Sequence, residues 1–187
     1  MPLATPGDTN NVRSWDTIDV YTAAVGSTAP TDVATALNAA FKATGLLSDD
    51  ELTRTLAVDR TELRALGGKL VRVKRTSQTR SITFTALENS HQVFTIANPG
   101  STAATATGIT TRTYKSQSTV QLAAVVHAVE GTNITRLWIP KLEIFADGDT
   151  KMGPSGMYQT PMTGMFYPDS SDIFFFEITN DPAAAAS

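Results

Sequence analysis

The sequence predicts a mainly β protein, a β-sandwich or barrel with one flanking α-helix. Roughly eight segments alternate apolar and polar residues or are rich in β-branched and aromatic residues, as strands with a buried face are. Only one segment, around residue 93, combines helical spacing with helix-end signals. A chain of 187 residues, 41% of them hydrophobic, suits one domain built around a core.

The composition excludes several classes of function. Lys and Arg number 15 against 18 Asp and Glu, and a chain with this net charge of −3 is not suited to wrapping nucleic acid with its whole surface. The absence of cysteine excludes disulfides, thiol catalysis and cysteine zinc sites. No apolar run approaches the ~20 residues of a membrane helix, and a signal peptide is not expected.

Three parts of the chain differ in character. Residues 1–14 are polar and small, with two prolines, and predict a flexible N-terminal arm. Residues 15–180 hold the predicted strands and form the β domain. Residues 181–187 predict a loose C-terminal tail.

A long excursion at residues 26–50 follows the first predicted strand, residues 17–23. Connections of this length are usually functional or disordered. Thr31 or Asp32 is expected to cap a short helix that Gly45 closes. The excursion also carries apolar residues that need a surface, either the parent sheet or another subunit. These residues are Phe41, Leu46 and Leu47.

The strongest hairpin signal lies in the middle of the chain. Val71 and Val73 alternate with basic residues, and Ile82 and Phe84 alternate with threonines. The polar tract at residues 76–79 predicts the turn between two strands. A turn centred there places Val73 opposite Ile82 and Val71 opposite Phe84, so that both pairs share one face.

A basic cluster accompanies this hairpin. In the predicted register Arg75 lies opposite Arg80 at the tip, and like charges in that position are unfavourable in a lone hairpin. Either the two side chains splay into water, or the tip meets acidic groups on a neighbouring subunit. The cluster consists of Arg72, Lys74, Arg75 and Arg80.

The predicted helix follows the hairpin directly. Asn89 and Gln92 have the spacing of a capping box, and the apolar residues after them recur at helical spacing until Pro99-Gly100. Low complexity predicts a loop at residues 101–108. The other predicted strands are residues 51–59, 109–114, 119–129, 134–144, 157–167 and 173–179.

Two strands carry further information. Val120, Leu122, Ala124 and Val126 share one face of residues 119–129. This strand is apolar on both faces, which implies a second layer or a partner. Pro140 lacks a ladder donor, so its strand is expected to have an edge or a bulge there.

No set of residues predicts catalysis. His91 and His127 are the only histidines, and neither has a base and an orienting group in a recognisable pattern. His91 is expected on the solvent side of the helix and His127 in a sheet. Asp147-Gly148-Asp149 lacks the further ligands of a calcium loop and predicts a turn. We therefore expect neither an enzyme nor a cofactor or metal site.

The order of these features resembles the major tail tube proteins of long-tailed bacteriophages of the siphovirus type. The matching segments span Trp15 to Asn180: WDTIDVYTAAVGSTAPTD, TGLLSDDELT after the excursion, LVRVKRTSQTRSITFTALENS after a Gly-Gly break, and AAVVHAVEGTNITRLWIPKLEI before an acidic-Gly turn. A more distant similarity extends to the inner tubes of contractile tails and of type VI secretion.

The resemblance implies a structural virion protein of the phage tail, made in the host cytoplasm. Six subunits would form a ring whose sheets join into one inner barrel, and stacked rings would form the channel that conducts DNA without binding it specifically. Further copies of the chain, a tape-measure protein, a tail-tip initiator and a tail terminator are the implied partners, and no membrane is involved.

Candidates for contacts between subunits or rings come from the excursion and from the basic cluster. They are Phe41, Leu46, Leu47, Arg72, Lys74, Arg75 and Arg80. The alternative function is a β-sandwich binding module, for capsid decoration or carbohydrate binding. Such a module needs an exposed aromatic platform, and Trp15 and Trp138 lie too far apart in the sequence to indicate one.

Overall fold

An antiparallel sheet of nine strands dominates the fold, and a two-stranded hairpin accompanies it. The computed structural model describes residues 11–50, 52–154 and 156–184. The elements are β1 (Thr17–Ala24), β2 (Lys42–Ala43), β3 (Thr53–Arg64), β4 (Leu70–Ala86), α1 (His91–Ala97), β5 (Thr102–Ala106), β6 (Ile109–Thr113), β7 (Gln121–Glu130), β8 (Asn133–Ala146), β9 (Lys151–Gly153), β10 (Gly156–Phe166), β11 (Phe176–Thr179) and a 3-10 turn (Pro182–Ala184). The predicted mainly β fold with one α-helix is confirmed for the described residues.

The large sheet has the strand order β2-β1-β7-β8-β10-β4-β3, with β11 on β8 and β9 on β10. Strand β8 changes partner along its length, from β11 at residues 135–138 to β10 at residues 142–146. Pro140 lies between these halves, where the register with β7 shifts, so the predicted bulge is confirmed. In the described part of the chain the sheet does not close into a barrel.

The main core covers one face of the sheet. Ala124 and Val126 of β7 point into it, as their alternation predicts, whereas Val120 lies outside the strand and is exposed. Helix α1 packs on this face against β8. The core residues include Val20, Ile82, Phe84, Val93, Ile96, Ala124, Val126, Ile139, Leu142 and Ile144.

A second, smaller core covers the opposite face of β7 and β8. Val125 and Trp138 point into it, because successive residues of a strand face opposite sides. Phe41 of the 26–50 excursion covers them, with its ring edge-on to Trp138 at 5.7 Å between centroids. The excursion therefore packs on the parent sheet, and it accounts for the double-sided apolar strand.

The hairpin was predicted at the wrong place. Residues 70–86 form one strand, whose partner is β3, and the turn lies at Gly67 and Gly68, both with positive φ. Arg75 lies opposite Arg60, not Arg80. The reason is a β-bulge: Asp59 pairs with Ser77 and Arg60 with Arg75, which leaves Thr76 as an extra residue in β4.

Helix α1 is confirmed, but its cap is Ser90. The Ser90 hydroxyl accepts the backbone N–H of Val93 at 3.2 Å. Asn89 was predicted as the cap, but its side-chain and backbone oxygens accept hydrogen bonds from Arg112 of β6. Gln92 does not complete a capping box, because its amide donates to the Thr22 hydroxyl at 2.9 Å.

Other predicted local structures are also corrected. No helix forms between residues 31 and 45, although the Asp32 carboxylate accepts the N–H groups of Ala34 and Thr35 as a cap does. Residues 102–106 are a strand where a loop was predicted. Residues 1–10 of the predicted arm and residues 185–187 of the predicted tail lie outside the described residues.

Gly164 of β10 is a site where the main core tolerates no side chain. A Cβ there would meet Ile82 Cγ2 at 2.8 Å and Leu142 Cδ1 at 3.1 Å. We expect Gly164→Ala to lower the free energy of unfolding by about 1–3 kcal/mol, since the core must shift to accept it. Urea denaturation measures this, with Gly153→Ala as the control because its Cβ would meet nothing within 4 Å. Equal midpoints for the two variants would contradict the expectation.

Candidate assembly surfaces

The hairpin of β3 and β4 extends past the rest of the sheet. We call residues 53–80 the arm and the remaining residues the body. Strand β4 reaches the body through β10 only at residues 81–86, whereas residues 70–80 pair with β3 alone. Nearly every residue of the arm is exposed. An isolated two-stranded ribbon is marginally stable in water, so the arm depends on what it contacts.

One face of the arm continues the face that is buried in the main core. Ile82 of β4 points into the core and lies opposite Arg54, so the alternation along β3 puts Leu56 and Val58 on the same side. Beyond the bulge, the pairs Arg60–Arg75 and Glu62–Val73 keep this side. The arm therefore carries an apolar row that is largely uncovered in the described chain. The row consists of Leu56, Val58 and Val73; Leu56 and Val73 are 51% and 47% exposed, and Val58 is half-buried.

Aromatic and charged contacts fix the base of the arm. The guanidinium groups of Arg54 and Arg80 lie over the Phe175 ring, at 5.1 and 5.4 Å from its centroid. Arg54 also lies 3.6 Å from the carboxylate of Glu177 on β11. These contacts orient the arm where it leaves the body.

A buried cation fastens the excursion to the sheet. The Arg136 side chain, in β8, is 6% exposed, and its Nη1 donates to the backbone carbonyls of Asp32 and Thr35 at 2.7 and 2.8 Å. Its Nε donates to Nδ1 of His127 at 3.2 Å. Within the described residues no carboxylate forms an ion pair with Arg136. The carbonyl contacts therefore replace water around the charge.

Burial and the charge of Arg136 both lower the pKa of His127, and Asp19 across the strand pair raises it by less. The pKa of Asp32 is also lowered, mainly because its carboxylate accepts the backbone N–H and then the hydroxyl of Thr35. Both shifts belong to the fastening of the excursion. The Tyr167 hydroxyl donates to Glu143 at 2.7 Å, which raises the pKa of Tyr167 and links β8 to the loop after β10.

The seven predicted contact residues lie in two separate regions. Arg72, Lys74 and Arg75 are exposed on the arm, and Arg80 is half-buried at its base. In the excursion Leu46 is 69% exposed, Leu47 packs against the main core and Phe41 is buried in the smaller core. The structure thus places Arg75 and Arg80 on the core side of the arm and Arg72 and Lys74 on its other side, and it keeps Phe41 in the smaller core of the sheet.

Sequence reasoning missed that Leu56 lies on the same face of the arm as Val73, and it missed Arg136. Reading Gly67-Gly68 as the hairpin turn would have placed Leu56 and Val58 across from β4. A lone arginine in the apolar run of β8 was the available signal for a buried cation.

Metal-ligand clusters, membrane-spanning helices and aromatic platforms can each be sought among the described residues. These residues contain no group of three or more His, Cys, Asp or Glu that could hold a metal ion. None of the helices described is long and apolar enough to cross a bilayer. Trp138 is buried against Phe41, so it offers no surface to a carbohydrate ring.

An arm with exposed apolar residues is a feature that contact with a further protein surface would cover. A family model described as phage tail tube protein matches residues 5–187, nearly the whole chain. The chain therefore belongs to the phage tail tube protein family; it is a structural protein of the phage tail and not an enzyme. No curated protein matches the chain.

The fastening of the excursion by Arg136 can be tested by mutation. We expect Arg136→Met to lower the free energy of unfolding by about 1–3 kcal/mol, because two backbone carbonyls lose their donor. Limited proteolysis should also cut residues 26–50 faster in this variant. The exposed Arg72→Met is the control, and identical behaviour of the two variants would show that Arg136 does not hold the excursion.

The pH dependence of stability reports His127. Its pKa is lower in the folded chain than the ordinary 6.5, so the unfolded chain binds the proton more readily. The free energy of unfolding should therefore be constant above 6.5 and fall as the pH drops below it. A second fall, due to Asp32, belongs below 3.8. Urea titrations across this range should lose the first fall in His127→Gln and keep it in His91→Gln; a fall that survives in His127→Gln would exclude His127 as its source.

Proposed function

We propose that the chain is the subunit of a phage tail tube that assembles as hexameric rings, which stack into the channel for genome ejection. The observation that carries this proposal is the apolar row of the arm, Leu56, Val58 and Val73. In a soluble monomer, apolar residues on an exposed ribbon would remain in contact with water, and such surfaces mark sites of interaction with other molecules. Copies of the same chain are the partners that its family provides.

The edges of the sheet support a ring. Among the described residues β3 pairs only with β4, so its outer edge presents unpaired N–H and carbonyl groups over 12 residues. A free edge of this length is a template for another strand. Rotational symmetry that closes a ring can pair every such edge, and the open sheets of six subunits would then join into one inner barrel.

In this proposal the exposed candidates contact neighbouring subunits, and the buried candidates hold the segments that carry the exposed ones. Leu46, Arg72, Lys74 and Arg75 would touch neighbouring subunits or rings. Phe41 and Leu47 would hold the excursion that carries Leu46, and Arg80 would hold the base of the arm.

Other tail components complete the assembly. Subunits made in the host cytoplasm would polymerise around a tape-measure protein, from a tail-tip initiator to a tail terminator. The acidic balance of the chain, −3 overall, suits a lumen that DNA passes without specific binding.

Electron microscopy of the purified chain tests the proposal. The wild-type chain should form rings or hollow tubes at high concentration, and Leu56→Ser/Val73→Ser should remain folded but unassembled because its apolar row is interrupted. Ile109→Ser/Met152→Ser is the control, since it changes two apolar residues away from the arm that are even more exposed.

Sedimentation velocity and thermal unfolding would confirm that each variant is folded before its assembly is scored. A wild-type chain that stays monomeric at every concentration rejects the tube. Tubes from Leu56→Ser/Val73→Ser would reject the role of the arm's apolar row.

A further inference from the structure

We propose that the arm of one subunit docks on the acidic body of a second copy, so that the contact joins two different surfaces. The inference rests on the proposed tube for the identity of the partner and adds which surfaces meet. It is carried by the distribution of charge between the arm and the rest of the chain.

Charge in this chain is strongly segregated. The arm, residues 53–80, contains eight basic and two acidic residues, a net charge of +6. The remaining residues contain seven basic and 16 acidic residues, a net charge of −9. A chain of −3 overall thus has a basic extension on an acidic body.

Two arginines of the arm lie next to the apolar row without a carboxylate partner. Arg60 and Arg75 are directly opposite each other on the face of Leu56 and Val73, and both are exposed. Neither forms an ion pair with another described residue. Glu62, the acidic residue of that face, is bound by Arg64. Two like charges side by side favour a partner that supplies acids.

The same charges decide how two copies meet. Two arms placed face to face would bring net positive surfaces together, with Arg60 and Arg75 of each copy at the contact, and this is repulsive. An arm placed on the body of another copy brings opposite charges together and covers the apolar row at the same time. The contact is therefore heterologous, and heterologous contacts generate rings or open filaments instead of closed pairs.

Exposed acidic turns on the body supply the acceptors. Asp49 and Asp50 precede β3, and Asp147 and Asp149 form the turn between β8 and β9. These turns leave carboxylates at the surface to pair with arginines of an incoming arm.

Nucleic acid is a less suitable partner for the arm. Phosphates would satisfy the arginines but would leave Leu56 and Val73 uncovered, since the row has no aromatic residue on which a base could stack. A protein surface satisfies both the charges and the apolar row. The second copy is therefore the partner we infer.

Charge reversal on the arm tests the contact. Arg60→Glu/Arg75→Glu should fold with an unchanged thermal midpoint and form no tubes. Lys115→Glu/Lys151→Glu, which changes the net charge equally at exposed positions outside the arm, should form tubes like the wild-type chain. Raising the salt from low to about 0.5 M should slow wild-type assembly by about tenfold, because surface charges attract less at high ionic strength.

Mixing separates a heterologous contact from a symmetric one. A small fraction of Arg60→Glu/Arg75→Glu added to the wild-type chain should shorten the tubes several-fold, because its body accepts an arm and its own arm binds nothing. A symmetric contact between arms would pair reversed with native arms, so equimolar mixing would promote tubes. That result would overturn the proposal.

The remaining outcomes separate this inference from the proposed function. A wild-type chain without tubes overturns the tube and with it the partner named here. Tubes from both the wild-type chain and Arg60→Glu/Arg75→Glu overturn the arm contact alone, as does equal failure of the two charge-reversed variants. Fluorescence anisotropy with a short duplex DNA in about 150 mM salt tests nucleic acid as the alternative partner of the arm. Binding that disappears in Arg60→Glu/Arg75→Glu while tubes persist would assign the arm to DNA.

Discussion

The structure depends on one strand, β4, that belongs to both the buried and the exposed parts of the molecule. Its last residues, from Ile82 to Ala86, fill the main core, and its first residues, from Leu70 to Val73, extend the same pleated surface into solvent. Where β4 leaves the core, the alternation of its side chains between the two faces does not change freely. Its register with β3 fixes the face on which each paired residue lies. The bulge at Thr76 adjusts this pattern and keeps Val73 on the core side.

In the body, other segments of the same chain cover the apolar surface of the sheet. Strands β7 and β8 are apolar on both faces, with helix α1 on one side and the excursion on the other. The excursion lacks a helix of its own, so Phe41 and the carbonyls of Asp32 and Thr35 hold it in place. No comparable cover reaches the arm. In the function proposed for this member of the tail tube protein family, further copies of the chain would supply that cover.

Period and turn chemistry were enough to predict much of the fold. The alternation of β7, the turn before β8, the bulge at Pro140 and the single helix all follow from local signals. The hairpin was misplaced because Val73 and Ile82 are separated by an odd number of positions, so a regular strand would put them on opposite faces. Two strands joined by a turn, or one strand with a bulge, can each place both residues on the same face. Sequence alone does not distinguish these, whereas the Gly67-Gly68 turn does once its partner strand is known.

The long-range parts of the candidate surfaces were beyond local reasoning. Arg136 meets carbonyls about a hundred residues earlier in the chain, and the order of strands in the sheet decides that contact. Four basic residues were recognised as one cluster because they are close in sequence. Their neighbours Leu56 and Arg60 come from the partner strand, and only the register places them on the same face.

The marginal stability of a two-stranded ribbon has a kinetic consequence. In the proposed assembly, the outer part of β3 and β4 has few contacts to restrict it before docking, so docking would be accompanied by a loss of conformational entropy. The first copies to meet would bear this cost without a preformed neighbour, whereas later copies would join an end that is already ordered. Growth should therefore show a lag that added seeds abolish, and a dedicated starting complex would determine when and where polymerisation begins.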